Sequence, residues 1–423
     1  MHSAAQLLAA ARFATGLYRQ RLDVWQAALR GDLLCRRRTS WGIRDPYPLY
    51  EQMRARGPIL PTRLGNWSTT SHRLSNQVLR SRTFGVAPLD AAEEPEPGMD
   101  LSFLTRNEPD HGRLRRLAQP AFSPRMIDRY RALVEKTTHE LVDAVEARSR
   151  REGAVDLVAQ LAAPLPITVI TALLGIPDAD AAAFQRYGAA IGSALSGIRS
   201  LRHAREVMTA DREIDRLFTA LFALREKEPR DDLVSVLVAE RGSRISPEEL
   251  GPMCSLLLIA GFETTVNLIG NGVLALLRHP EQWRLLRDEP ALAASCVEEV
   301  LRFDPPVQET ARIAFEDTEI GGVRVHKDQV VLTLIGGANR DPEAFPSPAT
   351  FDITRAPAVE HLAFSSGIHY CLGAPLARLE AATAFAILAD RLPGLRLAGP
   401  VRMRPSSTIR GPLRLPVAPA GSS

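Results

Sequence analysis

Between Ser246 and Pro280 the chain carries one long apolar stretch with both ends marked. Ser246-Pro247-Glu248-Glu249 reads as a capping box: serine hydroxyl and glutamate carboxylate each accept from the other residue's backbone N–H, and proline stands at the first helical position. Pro280 stops the pattern. At 1.5 Å rise per residue the helix predicted over 246–279 is about 45–50 Å long, enough to cross a whole domain. Midway lies Leu256-Leu257-Leu258-Ile259-Ala260-Gly261-Phe262-Glu263-Thr264-Thr265. An acid in such a run must be paired or functional unless it faces water. Gly261 weakens the helix, and Thr264 can bond back to the carbonyl four residues earlier, bending it.

A second constraint lies near the C-terminus, in the string HLAFSSGIHYCLGAPLARLE from His361 to Glu380. Cys371 stands between a glycine-bearing loop and an apolar helix that begins near Pro375. Gly367 and Gly373 flank it, and glycine allows positive φ and close approach of a bulky ligand. The helix N-terminus offers free N–H groups and a positive dipole end, which favour a thiolate. Such a thiolate serves as nucleophile, metal ligand or axial haem ligand. Taken alone, a buried structural cysteine fits as well.

Composition narrows the classes. Of 423 residues, 45% are hydrophobic and 24% charged, ordinary for a globular protein. The net charge of +3 is too small to argue for nucleic acid. Cys35, Cys254, Cys296 and Cys371 include no CxxC pair. That pattern argues against a zinc site or disulfide framework and for a reducing, cytoplasmic setting. Residues 4–18 are apolar but interrupted by Arg12, too short to span a bilayer, and lack a basic segment before them. Arginines follow at 19, 21, 30 and 36–38. A leader helix packed on the domain is favoured over one lying on a membrane surface. No transmembrane span is expected, and the division predicted is a leader over 1–40 and one domain over 41–423.

Along the chain, helices are predicted over 46–57, ended by Gly57, and over Ser71–Arg80, with short strands at Ile59-Leu60 and Trp67–Thr69. Residues 84–108, with several prolines and five acids from Asp90 to Asp100, read as a long loop of the kind that often forms a lid. Residues 109–149 are helical with interruptions at Pro120 and Pro124. Residues 156–226 are mainly helical with breaks at Pro164, Pro166 and Pro177. A helix over Pro290–Asp304 precedes strand-like runs at 309–315, 318–325 and 329–335. Gly270-Asn271-Gly272 lies inside the long helix, so it is no dinucleotide loop. Cys254 and Cys296 read as core.

Phe364, Gly367, His369, Cys371 and Gly373, followed by Leu376-Ala377-Arg378, resemble the haem-binding loop of the cytochrome P450 family. Ser365-Ser366 departs from it, because many members carry glycine after the phenylalanine. AGFETT, Ala260 to Thr265, resembles the family's oxygen-activation motif, in which Thr264 holds water and Glu263 relays protons from solvent so that dioxygen can be cleaved. Glu299 and Arg302 resemble the Glu-x-x-Arg pair that buttresses the core, with Arg355 as third partner. His111 and Arg115, in NEPDHGRLRRL, resemble the propionate-binding helix despite Asn107-Glu108-Pro109 at its start. Arg312 and His369 match the other propionate positions. Arg113 and Arg116 are candidates for a patch that docks an acidic electron donor.

The resemblance implies a mainly α fold with a smaller β-rich region, a triangular prism with haem b between the long helix and the Cys371 loop. It implies a monooxygenase inserting one oxygen atom of O2 into a small, mostly apolar substrate, by hydroxylation or epoxidation of a secondary metabolite, lipid or terpenoid. Electrons come from NAD(P)H through a ferredoxin or flavodoxin with its reductase, and the chain is expected to be a monomer. By position the substrate pocket is assigned to Leu256, Ile259, Ala260, Val307, Gln308, Thr310 and Thr408. A peroxygenase of the same fold and a haem-based ligand sensor stay open as alternatives.

Overall fold

A computed structural model describes residues 4–88, 100–177, 181–194 and 198–419, the side chains of 4–13, 181, 182 and 193 excepted. The acids Asp90, Glu93, Glu94 and Glu96 of the predicted lid lie outside the described residues.

The central helix runs from Pro247 to Arg278, 32 residues, and Ser246 and Glu249 close the capping box as predicted. Its apolar residues are buried on every side because other helices surround it. The helices Pro164–Leu174, Ala181–Ala194 and Leu201–Lys227 pack on it, as does the C-terminal helix Ala374–Arg391. Approach is close where side chains are absent: a Cβ on Gly272 would lie 2.1 Å from Phe385 Cζ, and one on Gly261 2.7 Å from Ile170. Phe385 is fully buried there, worth about 1.5–3 kcal/mol. By length and composition the central helix could cross a membrane, but 78% of its most apolar stretch is buried in the protein.

The strands form a separate, smaller region. Its main sheet has the order Leu60–Pro61, Trp67–Thr69, Val330–Thr333, Thr310–Ala314, Phe84–Gly85. Trp67–Thr69 runs parallel to Val330–Thr333, and the other pairs are antiparallel. Phe84–Gly85, inside the predicted loop, is thus an edge strand. The single strand expected over 318–325 is two, Thr318–Ile320 and Val323–Val325. Gly321 and Gly322 separate them at φ 59° and 80°, the conformation a two-residue hairpin loop demands.

Two helix boundaries also differ from expectation. Pro164 and Pro166 do not break a helix but lie in the first turn of Pro164–Leu174, where a missing N–H costs nothing. The helix predicted from Pro290 begins at Ala293, after a single tight turn.

At the N-terminus, the helix Ala4–Leu29 buries Leu17, Ala27 and Ala28 and leaves Tyr18, Leu22, Trp25 and Leu29 exposed. Within the stretch read as leader, Leu33–Arg37 belongs to the core. Arg37 is buried, ion-paired with Glu309, and donates Nη1–H to the Ser407 carbonyl at 2.7 Å.

Candidate active site

The Cys371 loop is held by its own backbone. Cys371 N–H donates to Phe364 O at 2.9 Å and Tyr370 N–H to Gly367 O at 3.1 Å. Gly367 has φ 71°, and a Cβ on it would lie 2.6 Å from Leu79 O, so conformation and packing both require glycine. Arg378, on the first turns of the following helix, places its guanidinium 4.6 Å from the Phe364 ring centroid and pairs with Glu298 at 2.7 Å. Gly373 differs from expectation: its φ is −83°, open to any residue. A Cβ there would meet only Phe122, at 3.9 Å, which leaves the side next to the cysteine clear.

Cys35, Cys254 and Cys296 are buried, whereas Cys371 is accessible. Although part of its surface is accessible, the Cys371 thiol is enclosed by protein: the N–H groups of Gly373 and Ala374, with Arg115 and Arg378, favour its thiolate, but desolvation outweighs them and the thiol sits above its ordinary range. The expected stabilisation by the helix end is therefore present yet insufficient alone. A bound metal ion deprotonates a coordinating thiol outright.

The central helix has one accessible strip. Between Leu256 and Leu276, only Ala260, Gly261 and Thr264 are not buried. The Thr264 hydroxyl donates to Ala260 O at 2.9 Å, the back-bond expected of it. Leu256 and Ile259 lie in the core beside this strip. Glu263 is buried in an ion-paired arrangement: Arg404 Nη1 lies 2.8 Å from its Oε1, Arg404 Nε–H donates to Asn267 Oδ1 at 2.8 Å, and Asn267 donates to Glu263 O at 2.7 Å. Burial raises the Glu263 pKa and Arg404 opposes it. Arg404 and Asn267 escaped the sequence reading. Asn267 is i+4 from Glu263 and so was in reach of it, but nothing local marks Arg404.

Four cationic candidates from three separate segments converge. The His111 and His369 rings are 4.2 Å apart. Burial first, then Arg312, His111 and Arg115, pushes His369 down to about 3. Arg312 is 4% exposed, and burial pulls it down to about 10. It donates to Thr310 Oγ1 at 3.3 Å and to the Ala311 carbonyl at 2.8 Å, and among the described residues no ion pair reaches it. Arg115 donates to Tyr370 O at 2.6 Å. His111 Nδ1 meets Glu108 Oε1 at 3.0 Å, while its buried Nε2 has no partner. Two guanidinium groups and two imidazoles, one of them with an orphaned buried nitrogen, form a donor set that suits an anion. The two propionates of haem supply two negative charges, and the donor set fits that group. Glu108, at the point of departure from the family pattern, holds His111.

Glu299 and Arg302 form a buried bidentate pair, with both contacts at 2.7 Å. Arg355 Nε lies 3.2 Å from Glu299, and Arg302 also donates to the carbonyls of Asn339, Pro348 and Thr350. Two other expectations fail. Gln308 is no pocket residue: it is 1% exposed, accepts from Tyr50 OH at 3.0 Å and donates to Pro305 O at 2.8 Å. Arg113 is not free to dock a partner, because Asp110 and Glu249 both hold it at 2.6 Å. Val307 bridges to Ile409, Thr310 sits in the central sheet, and Thr408 donates to Glu309 at 3.1 Å.

An accessible cysteine in a glycine loop at a helix start, with buried arginine and imidazole donors gathered beside it, is what a haem-thiolate protein needs. The chain belongs to the cytochrome P450 family, whose model matches residues 74–391. It is 38% identical over 408 residues to the putative cytochrome P450 140 of Mycobacterium tuberculosis, covering 92% of each chain. It is 38% identical to the biotin biosynthesis cytochrome P450 of Bacillus subtilis, over 89% of this chain and 96% of that one, and 38% identical to the monooxygenase PikC of Streptomyces venezuelae, over 88% and 91%. Among solved structures, P450BioI with a hexadec-9Z-enoic acid-ligated acyl carrier protein aligns at TM-score 0.80 and 36% identity, over 89% of this chain and 99% of that one. The family carries haem with a thiolate ligand, uses O2 and NAD(P)H-derived electrons, and is enzymatic.

Proposed function

We propose that Cys371 ligates the haem iron and that the chain inserts one oxygen atom of O2 into an apolar organic substrate. The observation that carries this is the convergence of His111, Arg115, Arg312 and His369 beside Cys371, a donor set made for a dianionic macrocycle. Haem, when bound, supplies dioxygen binding and activation, tuned by its thiolate ligand. The protein's part is orientation and proton supply. Ala260 keeps the helix strip open, the Thr264 hydroxyl would order water there, and Glu263, with its Arg404 partner, would relay protons toward that water. Glu299, Arg302 and Arg355 fix the segment that carries the loop.

Electrons come from a separate ferredoxin or flavodoxin with its reductase, in the cytoplasm. Arg116, exposed on the helix Asp110–Ala118, remains available for such a partner. The similarity to a biotin biosynthesis cytochrome P450, a polyketide biosynthesis cytochrome P450 and P450BioI with its fatty-acyl carrier protein favours substrates from acyl-chain or secondary metabolism. Carbon monoxide added to the reduced protein tests the ligand. The wild type gives the red-shifted absorption of thiolate ligation, and Cys371→Ala loses it. Retention of that band in the variant overturns the assignment.

A further inference from the structure

A cavity of about 790 Å³ opens between the helices Ala181–Ala194 and Leu201–Lys227 and the hairpin Arg402–Met403/Pro412–Arg414, with Glu263 of the central helix among its lining residues. Six arginines and two glutamates line it. Two arginines are matched: Arg202 pairs with Glu206 at 2.9 Å and Arg404 with Glu263 at 2.8 Å. Four are not. Among the described residues no ion pair reaches Arg186, Arg199, Arg205 or Arg402. Arg199 spends Nη1 on the Pro405 carbonyl at 2.9 Å, and its buried Nε has no partner. The whole chain has a formal net charge of only +3, so this excess is local. Guanidinium groups converging on one cavity repel each other, and an oxyanion relieves that repulsion through charge-assisted, often bidentate hydrogen bonds. Ile409 and Leu413 add apolar wall. The central-helix segment that lines the cavity also carries Thr264, one residue on from Glu263.

We propose that this cavity binds the anionic end, a carboxylate or a phosphate, of an otherwise apolar substrate. The inference rests on the monooxygenase reading and narrows its substrate to amphiphiles with a single acidic head. The apolar part lies along the central helix toward the Ala260–Thr264 strip, where oxidation occurs, remote from the anchored end. Arg404 is excluded from anchoring because Glu263 already holds it.

The test uses the haem-loaded protein and three ligands of equal chain length: dodecanoate, dodecyl phosphate and the neutral dodecanol. Calorimetry reads affinity, and the haem spin-state change reads whether the chain reaches the iron. A hydrogen bond to a charged group contributes about 1.5–3 kcal/mol, so at least one anion should bind roughly ten-fold or more tighter than dodecanol. The variant Arg186→Gln/Arg205→Gln/Arg402→Gln removes three exposed, unpaired guanidinium groups. It should cut that preference about ten-fold while leaving dodecanol binding unchanged. Preference for dodecyl phosphate over dodecanoate points to a phosphate-bearing carrier, and the reverse to a free acid. Equal binding of all three ligands, no binding by either anion, or an unchanged preference in the variant overturns the proposal. Calorimetry and the carbon monoxide band fail independently: a protein without that band loses the monooxygenase reading, whatever its anion affinity.

Discussion

Nη1 of Arg404 lies 2.8 Å from Oε1 of Glu263, joining the C-terminal hairpin region to the middle of the central helix. Both residues are buried, at 7% and 3% exposure. Removing one partner of such a pair strands a charge, at about 3–5 kcal/mol. Arg404→Met is therefore expected to lower unfolding free energy by about that amount in urea titration. Adding Glu263→Gln should restore most of it, because the stranded group is then neutral. Strictly additive losses in the double variant would show that the two side chains do not interact.

Thr264→Ala is expected to separate electron use from product formation. The accessible hydroxyl at the helix strip is the group placed to order water there, and without it protons arrive by less ordered routes. Reduced nicotinamide is still consumed through the redox partners, and hydrogen peroxide leaves in place of oxygenated product. Glu263→Gln slows the whole cycle by about 10²–10⁴-fold, the usual weight of a general acid or relay, with less change in the product-to-peroxide ratio. Counting cofactor, peroxide and product together decides it, and wild-type coupling in Thr264→Ala removes the hydroxyl from proton delivery.

Ser365 occupies the left-handed region at φ 64°, at the position where related chains often carry glycine. That conformation costs a non-glycine residue about 1–2 kcal/mol, and glycine returns about 0.4–1 kcal/mol as unfolded-chain entropy. Ser365→Gly is expected to stabilise the protein by roughly 0.5–1 kcal/mol, seen as a higher melting temperature. Gly367→Ala should do the opposite and reduce haem content, since its Cβ would strike Leu79 O. A melting temperature below wild type for Ser365→Gly refutes the strain argument.

Glu249 caps the central helix and pairs with Arg113 and Arg106. The hydrogen bond from Arg113, above all, holds its carboxyl down at about 2. A depressed carboxylate contributes stability that is complete above its ordinary value of 4.5 and lost as pH falls from there toward 2. Arg113 is partly exposed, so screening limits the contribution to about 1 kcal/mol. Glu249→Gln should therefore reduce stability at pH 7 and flatten the decline between pH 4.5 and 2. Parallel pH–stability curves for wild type and variant would show that the pair carries none of it.

Much of the molecule was legible in local pattern. The capping box at Ser246 and the stop at Pro280 define the central helix, because helix ends are satisfied by neighbours in sequence. The Cys371 loop was legible because a glycine at positive φ, a proline in a first turn and an apolar helix are all short-range features. Glu299 and Arg302 face each other for the same reason, three residues apart on one helix. The hairpin inside 318–325 was missed although Gly321-Gly322 marks it, since two three-residue strands read in sequence as one run. The π-helical turn Val158–Ala162, just before Pro164, left no mark at all.

By itself, then, the chain determined its helices, the loop around Cys371 and the identities of its cationic candidates. Tertiary structure alone decided what those groups face. It turned Gln308 inward to Tyr50 and tied Arg113 to Glu249. It brought Arg404 across 141 residues to Glu263 and gathered round one cavity four arginines that no ion pair among the described residues reaches. The reason is range: a helix cap or turn is settled by atoms a few residues away, whereas the partner of a buried charge is chosen by how whole elements pack, and burial sets its pKa only once that packing has excluded water.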